Sequence, residues 1–456
     1  LTATTITISE ELARWARTWS ERGLPDEVLE RTQTFVLDWI ASALAGRGTE
    51  AGGKLLDYTR SQPEGTSSVL GEPLGRSAES AAFANGALSH IVEMDDVDRR
   101  SIVHPGAVVI PAALAIAQRD GRNGREFLSA VVTGYEVAIR MGAAVGSKHY
   151  YHFHNTSTSG VFGSAMAAGW LLGLDEEEMA WALGSAGTMA FGLWEFNAEG
   201  AMSKHLHTGH AAASGLRAAE LGARGFTGAR RILEGERGFF AGMAPEGDPA
   251  VVAQGLDEPS FSSFGFALPG VSLKPYASCR HTHAAIDAAM ALRQRLGTRM
   301  PSGGTIAVYQ AAADLCDNAR PKTSYEAKFS LQFCVARALS GAGMGLSDFD
   351  ADGVATFPLT VVVDPELDAR FPQQFPARLR LELEDGECLE HEVSYPLGDP
   401  ENPLSRERVE DKLFQLADFG GVPKELAQGY LDWVTRLPDA SGAELADSLE
   451  LQERTS

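Results

Sequence analysis

The feature that most constrains this chain is a succession of helical segments rich in alanine and glycine, at residues 107–118, 127–144, 161–174, 179–192 and 210–221. Side chains this small let helix axes approach closely, and segments this apolar on every face belong inside a helical body rather than on its surface. Two amphipathic helices precede them. Ser9 is the expected N-cap of the first, with Glu10 and Glu11 at the positive dipole end and Leu12, Trp15, Ala16 and Trp19 at i, i+3, i+4 and i+7. The second is expected to start at Pro25 and to turn Val28, Phe35, Val36 and Ile40 inward. The pattern is helical to about residue 245.

After about residue 270 the pattern changes. Residues 305–309 and 359–363 read as short strands. Residues 378–384 alternate perfectly, then run through Asp385-Gly386 into 387–393, which predicts a hairpin with a two-residue turn. Helices are expected at 282–296 and 325–339. Helical text returns at 408–416 and 424–435 and is expected to pack back on the first body, while the last dozen residues, polar and charged, are expected to fray. The expected fold class is mainly α: a large, discontinuous all-helical domain (1–270 and 401–456) and a smaller α+β domain (271–400). A chain of 456 residues exceeds what one core usually serves, in keeping with two domains.

Charge excludes several partners. With 61 acidic against 39 basic residues the net charge is −22, and the cations form no basic stripe, so nucleic acid and anionic lipid are excluded. Hydrophobic residues at 44% against 22% charged exclude disorder. Four cysteines without CxxC spacing argue against a disulfide scaffold or zinc ribbon and suggest a reducing cytosol. No basic stretch followed by an apolar one suggests secretion. The longest apolar run, 107–117, contains Pro111 and falls short of the ~20 residues that span a bilayer.

Ten of the eleven histidines lie between His90 and His283, in four clusters bounded by turn residues. The first runs from His90 through Glu93, Asp95, Asp96 and Asp98 to His104-Pro105-Gly106, which puts His104 at the positive end of a helix, where an anion or a neutral imidazole is favoured. The second, Lys148 to Gly160, includes Tyr150, Tyr151, His154 and Thr156. It reads as a hydroxyl- and imidazole-rich cradle for a carboxylate, or as an ordinary surface loop. The third, Met202 to His210, precedes an alanine-rich helix and holds Lys204, a lysine in apolar surroundings that can serve as acid or base. The fourth, Leu273 to His283, holds Lys274, Tyr276, Cys279 and Arg280 where the pattern switches, and a domain junction is a preferred place for a cleft. His-x-His occurs at 152/154, 205/207 and 281/283; on a helix such a pair points about 200° apart and cannot share an ion. HExxH, EF-hand, Walker, GxGxxG-after-strand and GxSxG patterns are missing. No metal or cofactor is expected.

Six motifs in this order resemble the MmgE/PrpD family, over nearly the whole length: Ala84-Asn85-Gly86 through Glu93 to Asp96 and His104-Pro105; Phe153-His154-Asn155-Thr156 through Gly160; Ser203-Lys204-His205-Leu206-His207-Thr208-Gly209; Gly225-Phe226-Thr227-Gly228; Lys274-Pro275-Tyr276 through Cys279, His283 and Asp287; and Glu326-Ala327-Lys328-Phe329-Ser330. The resemblance implies an all-helical domain with an α+β lid, a homodimer, and a site in the cleft between them that uses neither metal nor organic cofactor. Its members include 2-methylcitrate dehydratases, cis-aconitate decarboxylases and an iminodisuccinate epimerase. Carried over, the catalytic residues are His104, His154, Lys204, Asp95 and Asp96. Glu93, Lys274, Tyr276, Cys279 and Arg280 are expected around the substrate, with Tyr151 and Thr156 from the second cluster. Glu93 stands where aspartate is common, Asn155 and Ala277 where proline is, and Cys279 where some decarboxylases place a histidine.

Lys204, Lys274, Arg280 and protonated histidines would then stabilise the charge that develops when an electron pair forms beside a carboxylate. The expected activity is a lyase on a small di- or tricarboxylate, foremost 2-methylcitrate dehydration. The alternatives are an epimerase of an amino- or imino-dicarboxylate, with Tyr150 or Tyr151 as second base, a cis-aconitate decarboxylase, or an inert binding protein on the same fold.

Overall fold

The computed structural model describes residues 6–256, 266–350 and 357–446; most of the tail expected to fray lies outside them. Two compact units result, one from Leu1–Ile91, Asp95–Val271 and Arg406–Ser456, the other from Val92–Met94 and Ser272–Ser405.

In the first unit α1 (Ile8–Arg22) starts earlier than expected. Its N-cap is Thr7, not Ser9, because Thr7 and Glu10 close a capping box: Glu10 N–H donates to Thr7 Oγ1 at 3.3 Å and Thr7 N–H to Glu10 Oε2 at 2.8 Å. Ser9 lies buried inside the first turn. Pro25 stands just before α2 (Asp26–Arg47), whose Val28, Phe35, Val36 and Ile40 are all buried. The small-residue helices are α3 (Ala78–Ser89), α4 (Pro105–Asp120), α5 (Gly124–Ala144), α6 (Gly160–Leu172), α7 (Glu176–Thr188) and α8 (Lys204–Gly222). Helix α6 packs on α4, α5 and α8, and α3 packs on α2, α4 and α8. The closeness is real: a Cβ on Gly163 would stand 2.5 Å from Gly134 O, so only glycine fits where α6 crosses α5.

Two boundaries move. Helix α7 ends at Thr188 rather than 192, and α8 begins at Lys204, so the third histidine cluster forms its opening turns instead of preceding it. A short strand unforeseen in the sequence, β1 (Glu64–Ser67), bridges to Arg76. The returning helices α9 (Arg406–Phe419) and α10 (Lys424–Arg436) pack on α2, held by a buried Lys412–Asp38 ion pair and by Gln33 Nε2 donating to Val434 O at 2.6 Å.

The second unit holds β2 (Pro301–Val308), β3 (Leu359–Val363), β4 (Ala377–Leu383) and β5 (Cys388–Val393) in the order β3-β2-β4-β5. The β2/β3 pair is parallel and the other two are antiparallel. Ala377, Leu379, Leu381 and Leu383 are buried, and the helix His283–Leu296 packs on β4 and β5. The β4/β5 connection has three residues, 384–386, not two. Leu383 pairs with Glu387, and Gly386 at φ 83° supplies the left-handed position such a loop requires. The helix expected at 325–339 is broken into Ser324–Ala327 and Leu331–Ser340, because Ser330 caps the second piece by accepting from Phe333 N–H at 3.0 Å. Among the described residues no helix is long and apolar enough to cross a membrane.

Candidate functional site

The loop from α3 to α4 carries the first histidine cluster. Asp98 closes it: Oδ1 accepts from Ser101 N–H at 2.9 Å and Ser101 Oγ–H at 2.8 Å, while Asp98 N–H donates to Val103 O at 2.9 Å. Asn155 Nδ2 donates to Ser101 O at 2.9 Å, a tie the more frequent proline would not make. Ile102 sits at φ 54°, a left-handed conformation that costs energy in a β-branched residue and that this over-determined loop enforces.

The adjacent aspartates do different work. Asp96 Oδ2 accepts from Tyr135 Oη–H at 2.7 Å and Oδ1 from Gly106 N–H at 3.0 Å. A Cβ on Gly106 would stand 2.8 Å from Tyr135 Oη, so glycine admits the contact. Burial, with repulsion from Asp95 and Asp38, holds the Asp96 carboxyl well above the usual range despite those bonds. Asp96 thus anchors the loop to α4 and α5. Asp95 faces imidazoles: its Oδ2 lies 2.7 Å from His90 Nδ1 and 3.1 Å from His104 Nδ1. Burial alone would raise this carboxyl, but attraction and hydrogen bonds from His90 and His104 outweigh it and bring it well below the usual range.

A second pair adjoins. His154 Nδ1 lies 3.2 Å from His207 Nδ1, and the His154 ring stacks on His90 at 5.4 Å and 22°. The His154 backbone N–H donates to Gly192 O at 2.8 Å, and Trp194 packs at 5.0 Å from its ring. Desolvation lowers His154 well below its ordinary value and His207 to about 4, reinforced by His90 and by the charge of Lys204. Both imidazoles are therefore neutral at neutral pH, which corrects the expectation of protonated histidines: a packed pocket with a lysine disfavours further positive charge. Lys204 itself is buried at the start of α8. Thr156, fully buried, accepts from His104 N–H at 3.2 Å and so serves the loop backbone. Tyr151 is 78% exposed with its ring against His152, outside this cluster, and Tyr150 packs on Trp194.

In the second unit the cations already have partners. Lys274 Nζ lies 3.5 Å from Glu93 Oε2, both buried, with Glu93 at φ 62°. Arg280 makes a buried ion pair with Asp399 and lies 2.9 Å from His283 Nδ1. Tyr276 donates its hydroxyl to Asp287, a carboxyl that burial pushes up. The Cys279 thiol is lowered, first by a hydrogen bond with Cys316, against the effect of burial. Arg280 and Tyr276, expected around the substrate, are thus engaged in holding the segment 273–283 to 287 and 397–399.

None of the His-x-His pairs converges. His205 and His207 lie two apart on α8, His281 bonds Tyr309 whereas His283 meets Arg280, and His152 lies against Tyr151 whereas His154 meets His207. His90, Asp95 and His104 do bring ligand atoms within 4.8 Å of one another. His90 Nδ1 and Asp95 Oδ2 at 2.7 Å are hydrogen-bonded to each other, whereas ligands about 2.0–2.2 Å from a tetrahedral ion stand about 3.3 Å apart. His90, His207, Tyr135 and Trp194 complete the cluster and were not among the residues singled out for the site. The first two stood inside the quoted motifs; Tyr135 and Trp194 carry no local signal.

Comparison with known proteins accords with the motif order. The chain is 27% identical over 447 residues to a cis-aconitate decarboxylase of Aspergillus terreus, covering 92% of this chain and 90% of that one. It is 28% identical to the human cis-aconitate decarboxylase, covering 85% and 83%, and 29% identical to the mouse one, covering 73% and 69%. The model of the MmgE/PrpD N-terminal domain matches residues 10–251 and that of the C-terminal domain residues 276–428, so the chain belongs to the MmgE/PrpD family.

Proposed function

We propose that the protein is a lyase acting on a small di- or tricarboxylate by acid–base chemistry at its own side chains, with no metal or organic cofactor, as the family resemblance implies. One observation carries this: four imidazoles, one carboxylate and one buried lysine gathered in the first unit. An electron pair released beside a carboxylate, by loss of CO₂ or of a proton, must be held and then either protonated or turned into a double bond as a neighbouring leaving group departs with its own bonding pair. His154, kept neutral by burial, is suited to accept a proton. Asp95 stabilises the positive charge His104 acquires when it takes one up, so His104 is suited to deliver it. Lys204 supplies the fixed cation beside the growing anion. Lys274, buried beside Glu93, is proposed as a carboxylate-binding cation.

The named relatives favour C–CO₂ cleavage of an unsaturated tricarboxylate over the dehydration expected from the sequence. Dehydration of a 2-methylcitrate-like substrate is the second reading, favoured by Cys279 where some decarboxylases place a histidine. A homodimer in the cytosol belongs to the same proposal, checked by light scattering and fractionation. The deciding experiment is an NMR screen in deuterated water against cis-aconitate, 2-methylcitrate, citrate and iminodisuccinate. Decarboxylation leaves a product one carbon shorter with deuterium on carbon, elimination leaves an alkene of unchanged carbon count, and epimerisation only exchanges a C–H. No change in any of the four would refute the lyase reading.

A further inference from the structure

We infer that Cys279 and Cys316 form an oxidisable dithiol in the second unit: Cys279 takes an oxygen from a hydroperoxide, and Cys316 displaces that oxygen to leave a disulfide. Neither step draws on the lyase reading.

The four cysteines are free, and two of them meet. Cys279 precedes the turn Arg280–Thr282, which packs on the helix Gln310–Cys316, whose last residue is Cys316. One segment, residues 328–332, fixes both. Cys279 N–H donates to Lys328 O at 2.9 Å. Just after Cys316, Asp317 Oδ1 accepts from Gln332 Nε2 at 2.5 Å and Asn318 O from Ser330 Oγ–H at 2.6 Å. The Cys279 carbonyl is engaged too, accepting from Thr282 Oγ1–H at 2.9 Å and from Thr282 N–H at 3.0 Å. The two side chains are thereby held in hydrogen-bond contact, with Cys316 as donor and Cys279 as acceptor.

The sulfurs are prepared for different steps. Cys279 accepts from Cys316 S–H and from the His281 backbone N–H, and it feels the charge of Lys274; these lower its thiol against burial and against the opposing charge of Glu93. It is half-buried, whereas Cys316 and Cys334 are fully buried, so a small oxidant arriving from solvent meets Cys279 first. The bond to Cys279, then burial, raises Cys316 well above its ordinary range and keeps it the protonated member. Cys334 is not the partner: burial raises it to about 12, and its thiol donates to Ala327 O at 3.7 Å.

The Cys279 thiolate attacks one oxygen of hydrogen peroxide. The S–O bond forms as the O–O bond breaks, the sulfur gives up two electrons, and the departing hydroxide takes a proton to become water. The sulfenic acid carries no charge, so the thiolate that raised Cys316 is gone. Cys316 then gives up its proton as its sulfur attacks that of Cys279; the S–S bond forms, the S–O bond breaks, and hydroxide leaves with that proton as a second water. Two thiols and one peroxide become one disulfide and two waters.

The test exposes the reduced full chain to hydrogen peroxide, alkylates the remaining thiols in denaturant and maps the peptides by mass, with the exposed Cys388 as internal control. A linked 279–316 peptide, lighter by two hydrogens than the reduced pair, is expected to form about tenfold faster than Cys388 is oxidised and to revert with a phosphine reductant. Cys316→Ser is expected to stop at the sulfenic acid, captured on Cys279 as its dimedone adduct. Cys279→Ser is expected to leave Cys316 and Cys334 reduced. Cys279 still reduced when Cys388 has reacted, or Cys279 oxidised with Cys316 still open to alkylation in the wild type, overturns the inference. So does a link that appears only after circular dichroism shows the helices lost.

Discussion

The histidine cluster of the first unit and the cations of the second were expected to do one job, supplying positive charge, and the structure equips them for two. His154 and His207 are buried, bonded to each other and held neutral, and Asp95 counters whatever charge His104 acquires. His154 and His207 start uncharged, so either presents a lone pair to a proton. In the second unit Arg280 is spent on Asp399 and Lys274 on Glu93. The lesson is that counting basic residues near a motif does not count available charge.

The sharpest way to break this comparison is to substitute across it. His154→Gln and Lys204→Met are expected to lower kcat by about 10²–10⁴-fold while melting within a few degrees of wild type, since proton transfer and transition-state charge are lost but the fold's anchors are not. Arg280→Met is expected to do the reverse. It removes the cation from the buried ion pair with Asp399, which costs about 3–5 kcal/mol and lowers the melting temperature by several degrees. The properly folded fraction is expected to retain turnover. Calorimetry and turnover of cis-aconitate on the three variants check both halves; a stable, normally melting Arg280→Met protein with no activity would reassign Arg280 to the substrate.

Stability against pH sharpens the contrast within the second unit. His281, bonded to Tyr309 and flanked by Lys274 and Arg280, titrates at about 4 because burial, then those two charges, disfavour its cation. The unfolded chain takes up that proton near 6.5, so between about 6.5 and 4 the unfolded state binds more protons and stability falls as pH falls. At pH 5 this group alone should cost about 2 kcal/mol relative to pH 7.5. Asp96 and Asp287, raised by burial, act in the opposite sense above about 3.8, so the measurement must be a difference. Urea midpoints of wild type and His281→Phe are expected to converge by about that amount on going from pH 7.5 to pH 5. Parallel pH profiles would show that His281 is not buried as a neutral ring.

How much of this was legible follows from what each signal encodes. The small-residue helices were readable because glycine spacing reports axis distance directly, as Gly134 and Gly163 show. The strand Ala377–Leu383 was readable because its alternation is its burial pattern. Ion pairing was not: Lys274 and Glu93 are 181 residues apart and Arg280 and Asp399 are 119 apart, and a residue's type says nothing about a partner at that distance. The split duties of Asp95 and Asp96 were hidden for the same reason, since Tyr135 reaches Asp96 from the middle of an apolar helix. His90 opened the first histidine cluster but was not singled out for the site, because its contacts with Asp95 and with the His154 ring, 64 residues on, exist only in the folded chain.

The smallest expected effect tests the loosest of the pairs. Lys274 and Glu93 stand 3.5 Å apart, longer than a tight charge-assisted hydrogen bond, so a carboxylate bound at Lys274 would compete with Glu93 for the ammonium. Lys274→Met removes the cation and is expected to raise KM for cis-aconitate about tenfold, roughly 1.4 kcal/mol, with kcat nearly unchanged. Glu93→Gln removes the competitor and is expected to lower KM about threefold. A cation serving only the fold would give the opposite result: losing either partner would lower the melting temperature and leave KM where it was. Opposite shifts in KM from the two ends of one pair would show that Lys274, unlike Arg280, exchanges its partner for the substrate.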